Sequence, residues 1–306
     1  MHIQNIDGRT NYTRREVKSQ NRASFPGMVR GELMKIMWLR SVWVMLALLI
    51  SGTAAVYLLN IGNQNVHQVL LSNPVQYAYN YALSQNLLVF RVLSGFLALL
   101  VAAFAIGLEY QQGTICVILG RGVGRVKFLL SKIVALFLMA VLVQLGGIIL
   151  NGILLVAVIG ASTGGFTAVG VILSHCMGTF IQFFLYLIFN MWVSILLATA
   201  VTVLGRSLAF GLSVALMWFP VDNFAATISP LLRHLFPGDL AMKMSNALLG
   251  PDLNVLPVVA ISQHISNEMS VPQVTIGGWQ TIVIVLVYAL VFLVTAMVLI
   301  RLRDVR

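Results

Sequence analysis

The chain has 306 residues, 59% of them hydrophobic and only 9% charged. A soluble domain carries about 25% charged residues, so this composition excludes an ordinary water-soluble globule and indicates an integral membrane protein. The net charge of +10 does not indicate nucleic-acid binding, because the basic residues are sorted along the chain rather than gathered on one patch.

Sixteen of the 19 basic residues fall in four places. Arg9, Arg14, Arg15, Lys18, Arg22, Arg30, Lys35 and Arg40 precede the first apolar run. Arg121, Arg125, Lys127 and Lys132 lie in one hinge, Arg206 in a short break, and Arg301, Arg303 and Arg306 at the end. Six membrane crossings with both termini inside would put all sixteen on the cytoplasmic side, where cationic loops are retained.

Met1 to Ser24 is polar and basic without apolar periodicity, and residues 1–27 read as a flexible cytoplasmic tail closed by a turn at Pro26-Gly27. From Met28 the apolar residues Val29, Leu33, Ile36 and Met37 recur at helical spacing, with Arg30, Glu32, Lys35 and Arg40 at other positions. This predicts an interfacial amphipathic helix. The first span covers about 42–60. Asn60 to Asn86 is polar and uncharged and is placed outside, with Tyr77, Tyr79 and Tyr81 as interface anchors. The second span is 87–108, with Arg91 near its outer end snorkelling to the headgroups.

Residues 109–128 form the hinge, and apolar sequence resumes over 129–159. That run exceeds one bilayer thickness, and a kink is expected at Gly146-Gly147 or Asn151-Gly152. A small-residue turn at Ala161 to Gly170 leads to a fourth span, 171–203. After the inner turn Gly205-Arg206-Ser207 comes a short fifth span, 205–221, ending at Pro220. Residues 222–278 form a long outer region in which Ala226 to Phe236 and Leu240 to Leu249 read as short helices, with Asp222, Asp239, Asp252 and Glu268 facing outward. The last span is 279–300. The expected fold is therefore an all-α integral membrane protein of the cell membrane with six transmembrane helices, the transmembrane domain being 28–306.

The hinge is the most informative stretch. Gly113-Thr114 reads as a break followed by a helix N-cap, the threonine hydroxyl accepting a free backbone N–H. Ile115 to Leu119 then forms a short apolar helix displayed at the cytoplasmic surface, closed by Gly120, Gly122 and Gly124. Glu109 ends a membrane span, and it is expected to bond backbone or basic groups of the hinge or the interfacial helix and hold the hinge in place.

The order Glu109, Gly113-Thr114, Leu119, Arg125, Lys132 resembles the signature of ABC-2 type transporter permeases. The string from Glu32 through Lys35 to Arg40 and Trp43 is similar to the family's leading segment. Members often carry a proline before the hinge arginine, where this chain has Gly122-Val123-Gly124. The resemblance implies that the hinge is a coupling helix docked on a cytoplasmic ABC ATPase subunit. ATP and magnesium would then sit on that partner, with no cofactor in this chain, and a second permease subunit, identical or related, would complete the exporter. It also assigns coupling to Glu109, Gly113, Thr114, Ile115, Leu119, Arg121 and Arg125. The substrate is not readable.

Other chemistry is missing from the sequence. GRGVGRVK, from Gly120 to Lys127, lacks the spacing of a phosphate-binding loop. There is no HExxH and no G-x-S-x-G. Cys116 and Cys176 form no CxxC, and His67, His234 and His264 fall in predicted outer loops, far apart in sequence, so no metal site is expected. A secondary transporter or channel would carry mid-membrane charge in matched halves, and a membrane enzyme a catalytic constellation; neither pattern is present.

Overall fold

The computed structural model describes residues 24–115, 123–232, 247–259 and 278–302. Among these, every regular element is helical. Long runs of leucine, isoleucine, valine and alanine favour this outcome, because a helix satisfies its own backbone where no water is present to do so.

Helix α1 covers Phe25–Trp38. It starts earlier than the expected turn at Pro26-Gly27. Ser24 caps it by accepting the Gly27 N–H at 3.3 Å, and Pro26 sits in the first turn, where its missing donor costs nothing. An extended Leu39 then separates α1 from α2, Arg40–Ile61.

The region 60–86, expected as an outer loop, is largely helical. It contains α3, Gln64–Ser72, and α4, Pro74–Tyr77, which passes through a π-helical segment, Ala78–Asn86, into α5, Leu87–Gln111. Tyr77 and Tyr79 are buried in the bundle rather than anchored at an interface. Arg91 is also buried, at 5% exposure, and does not snorkel outward.

Helices α6, Arg125–Thr163, and α7, Thr167–Gly205, run 39 residues each. Helix α6 continues unbroken through Gly146-Gly147 and Asn151-Gly152, and the turn that follows is confined to Gly164–Phe166 instead of Ala161 to Gly170. Gly164 supplies the left-handed backbone at φ +64° that stops α6. Arg206, at φ 49°, makes the tight turn from α7 into α8, Leu208–Leu232. Helix α8 does not end at Pro220 but runs twelve residues further, taking in the start of the expected helix at Ala226; residues 233–246 lie outside the described set. Helix α9 is Leu249–Val259 and α10 is Gly278–Leu302.

Five helical stretches are long and apolar enough to cross a membrane, namely Arg40–Ile61, Pro74–Gln111, Arg125–Thr163, Thr167–Gly205 and Trp279–Leu302. The sixth expected span corresponds to α8, in which the apolar stretch found among the described residues is Leu208–Asp222. One large buried cluster joins α2, α5, α6 and α7. A second, with Ile106, Ile115, Phe128, Leu129, Ile133 and Ile300, gathers the ends of α5 and α10 and the start of α6 at what we call the hinge end. A third, at α9, contains Val193, Leu249, Leu253, Leu256 and Val285. Within the expected outer region, Asp252 does not face outward: it is fully buried, while Asp239 and Glu268 lie outside the described residues.

Candidate functional site: a buried ring of four charges at the hinge

Three helices contribute to the site. Helix α1 presents Val29, Glu32 and Ile36 on its buried face, so Glu32 lies with the apolar residues and not on the expected polar side. The last turn of α5 supplies Glu109. The second turn of α6 supplies Lys132, which is 2% exposed and therefore not part of a cationic surface.

These groups and Lys35 alternate in sign around a closed ring. The Lys35 ammonium lies 2.8 Å from Glu32 Oε1 and 3.1 Å from Glu109 Oε1. The Lys132 ammonium lies 2.5 Å from Glu32 Oε2 and 2.8 Å from Glu109 Oε1. Lys132 also donates to the Ala105 carbonyl at 3.2 Å, which occupies the third proton of its ammonium. Its Nζ stands 5.1 Å from the centre of the Phe128 ring. Burying an isolated charge is prohibitive, but each charge here has two opposite neighbours and the ring is neutral.

Burial pushes the Glu32 carboxyl up, yet the Lys132 ammonium and the bonds from Lys132 and Lys35 outweigh it and hold the group below its ordinary value. Burial pulls Lys35 down, and the Glu32 bond with the charges of Glu109 and Glu32 leaves it raised. Both shifts favour the charged forms.

The chain reverses direction directly beside the ring. Gly113, at φ +66°, terminates α5 with its N–H on the Tyr110 carbonyl at 3.3 Å. The backbone N–H groups that Thr114 is expected to cap lie outside the described residues. The Thr114 hydroxyl donates back to the Glu109 carbonyl at 3.4 Å, satisfying an acceptor that the end of α5 leaves open. Ile115 is not displayed to solvent; it is 2% exposed and packs in the hinge-end cluster. Arg125 opens α6 and donates from Nη1 to the Arg301 carbonyl at 3.4 Å, tying α6 to the last turn of α10. Leu119 and Arg121 lie outside the described residues. A cavity of about 450 Å³ opens under α1 beside the ring, lined among others by Lys35, Leu108, Glu109, Gln112 and Thr114.

The structure thus brings together Glu32, Lys35 and Glu109, which the sequence singled out separately, and sets Gly113, Thr114 and Ile115 against them. It adds Lys132 as the central cation. A sequence signal for that burial existed, since Lys132 shares a helical stripe with Phe128, Leu129 and Leu136. The arrangement contains no nucleophile with a base, and no group of three metal-ligating side chains occurs among the described residues. What it does is mechanical: it fastens α1, α5 and α6 together at the point where the hinge begins.

No curated protein matches the chain. A family model described as "ABC-2 family transporter protein" matches residues 28–305, from the first turn of α1 to beyond the end of α10. This multi-pass membrane protein therefore belongs to the ABC-2 transporter family, whose membrane components carry transport and are not themselves catalytic.

Proposed function

We propose that the chain is the permease subunit of an ATP-driven exporter in the cell membrane, with the hinge 109–128 gripped by a cytoplasmic ATPase subunit. Both termini are then cytoplasmic, α8 serves as the sixth span, and a second permease subunit completes the translocation path. ATP and magnesium bind the partner. The observation that carries the reading is the charge ring. A push on the hinge reaches α1, α5 and α6 at once, so the three helices move as one body. A membrane element with two arrangements can be biased in this way by binding energy released at a soluble site. The residues that would couple are Glu109, Gly113, Thr114, Ile115, Leu119, Arg121 and Arg125, with Glu32 and Lys35 joining α1 to them.

The test is deletion of residues Thr114 to Leu119. The deleted chain is expected to insert in the membrane but to lose transport and co-purification of the ATPase encoded beside it. Undiminished co-purification would overturn the assignment.

A further inference from the structure

Helix α9 sits among α7, α8 and α10 on the third apolar cluster, with Leu249, Leu253 and Leu256 against Val193 and Val285. Three polar contacts seat it. Asp222 of α8 accepts the Gly250 N–H at 2.8 Å, Asn190 of α7 donates from Nδ2 to the Leu253 carbonyl at 3.4 Å, and the Tyr288 hydroxyl of α10 donates to the Ala247 carbonyl at 2.8 Å. Tyr288 stands nine residues past Trp279, about 14 Å along α10, so the seat lies well below the end of that span.

In this setting Asp252 is anomalous. It is 0% exposed, and neither of its carboxyl oxygens has a hydrogen-bond partner among the described residues. The titratable groups around it are Asp222 from α8, Tyr288 from α10 and Tyr186 from α7. No described lysine or arginine forms an ion pair with either acid. A separate observation points the same way. Asn190, 5% exposed and bonded to the residue next to Asp252, has an Oδ1 with no donor. What the described residues of this seat lack is a hydrogen-bond donor carrying positive charge, and the smallest such ligand is a proton.

We propose that Asp252 is a proton-binding site that seats α9 in the bundle when protonated and releases it when the proton passes to water. The neutral carboxyl can donate its O–H to a buried acceptor. The carboxylate can only accept, and it adds a second negative charge beside Asp222 in a region of low dielectric. Burial, with the charge of Asp222 adding to it, pushes the Asp252 carboxyl up to about 7. Its ordinary value is 3.8, so the seated state binds the proton more tightly than the released state. Seating is therefore strongest in acid. It weakens about tenfold per pH unit between the two values and levels off above the higher one.

The experiment is hydrogen exchange of residues 249–259 in the full chain, reconstituted in lipid nanodiscs from pH 5 to pH 8.5 and corrected for intrinsic exchange. Protection should fall about tenfold per pH unit up to about pH 7 and then level. Asp252→Asn, which keeps the shape without the titration, should lose most of the pH dependence and the levelling near pH 7, any remainder belonging to Asp222. Asp222→Asn, which can still accept the Gly250 N–H, removes the neighbouring charge and should move the levelling point to lower pH. Protection that is flat with pH in the native chain overturns the proposal. So does an unmoved levelling point in Asp222→Asn, or the native profile retained in Asp252→Asn.

Discussion

Lys132 of α6 approaches Glu32 of α1 to 2.5 Å across 100 residues of sequence, and the contact is buried. The pair closes the ring that Glu109 and Lys35 complete. Its position ties α1 to the two helices that flank the hinge. Helix α1 packs on the bundle through Val29 and Ile36, and the ring adds a polar connection to α5 and α6 at their hinge ends.

Replacing Lys132 by methionine leaves Glu32 and Glu109 buried with only the half-exposed Lys35 between them. Breaking a buried ion pair on one side costs about 3–5 kcal/mol. Lys132→Met should therefore lower the unfolding temperature of the nanodisc-embedded chain markedly, whereas Lys35→Met, at a 55% exposed side chain, should cost at most about 1 kcal/mol. Adding Glu32→Gln to Lys132→Met should recover part of the loss, because it removes one stranded charge. Equal effects of the two lysine substitutions would show that the ring is not the buried unit described.

The ring also fixes a pH window. Glu32 is held below its ordinary value of 4.5, so its contribution is present above that pH and is lost as the pH falls through the lowered folded value. Lys35 is raised above 10.5, so its contribution is present below that pH and is lost as the pH climbs through the raised value. Spin labels at the exposed positions Met34 of α1 and Leu138 of α6 should report one fixed distance from about pH 5 to pH 10, broadening beyond either limit. A distance that drifts within the window would contradict the ring.

The all-helical character and five of the bilayer-length helices were legible in the sequence because long apolar runs have few alternatives. The partners of Glu109 were legible too: a carboxylate closing a membrane span needs basic neighbours, and it meets Lys132 after the hinge and Lys35 of α1. Glu32 was misread because helical periodicity assigns a charged residue to the wet face, and no local pattern reveals a lysine 100 residues away that pays for its burial. Lys132 was grouped with the hinge cations for the same reason. Pro220 seemed a stop signal, but a proline removes only one helix bond, and packed neighbours can absorb the loss. Tyr77 and Tyr79 looked like interface anchors because aromatic residues beside a span usually are; they are buried where α4 passes into the π-helical segment, which has no signature that pattern reading can detect.

Gly113 is the backbone condition for the hinge. At φ +66° a side chain costs about 1–2 kcal/mol. Nothing lies within 4 Å of the position a Cβ would take, so the penalty at this site is conformational rather than steric. Gly113→Ala should weaken ATPase co-purification while leaving the unfolding temperature within a few degrees of native. Gly113→Asn, which tolerates the left-handed region better, should lie between the two. Full ATPase association in the alanine variant would mean that the reversal after α5 is not what presents the hinge.

Gly107 tests how closely α5 and α8 approach. A Cβ built there would meet the Leu208 Cα at 2.7 Å, a backbone atom that cannot rotate away. Gly107→Ala should push the start of α8 off α5, only two residues before Glu109, at a cost of about 1–3 kcal/mol for overpacking. Gly95, buried on the same helix, provides the control, since a Cβ there meets nothing within 4 Å. Thermal unfolding of both variants should show a clear loss for Gly107→Ala and no loss for Gly95→Ala, where replacing glycine in a helix interior favours the folded chain by about 0.5–1 kcal/mol. If the order were reversed, the contact between α5 and the first turn of α8 would have to be abandoned, and with it the route by which movement of the hinge reaches α8.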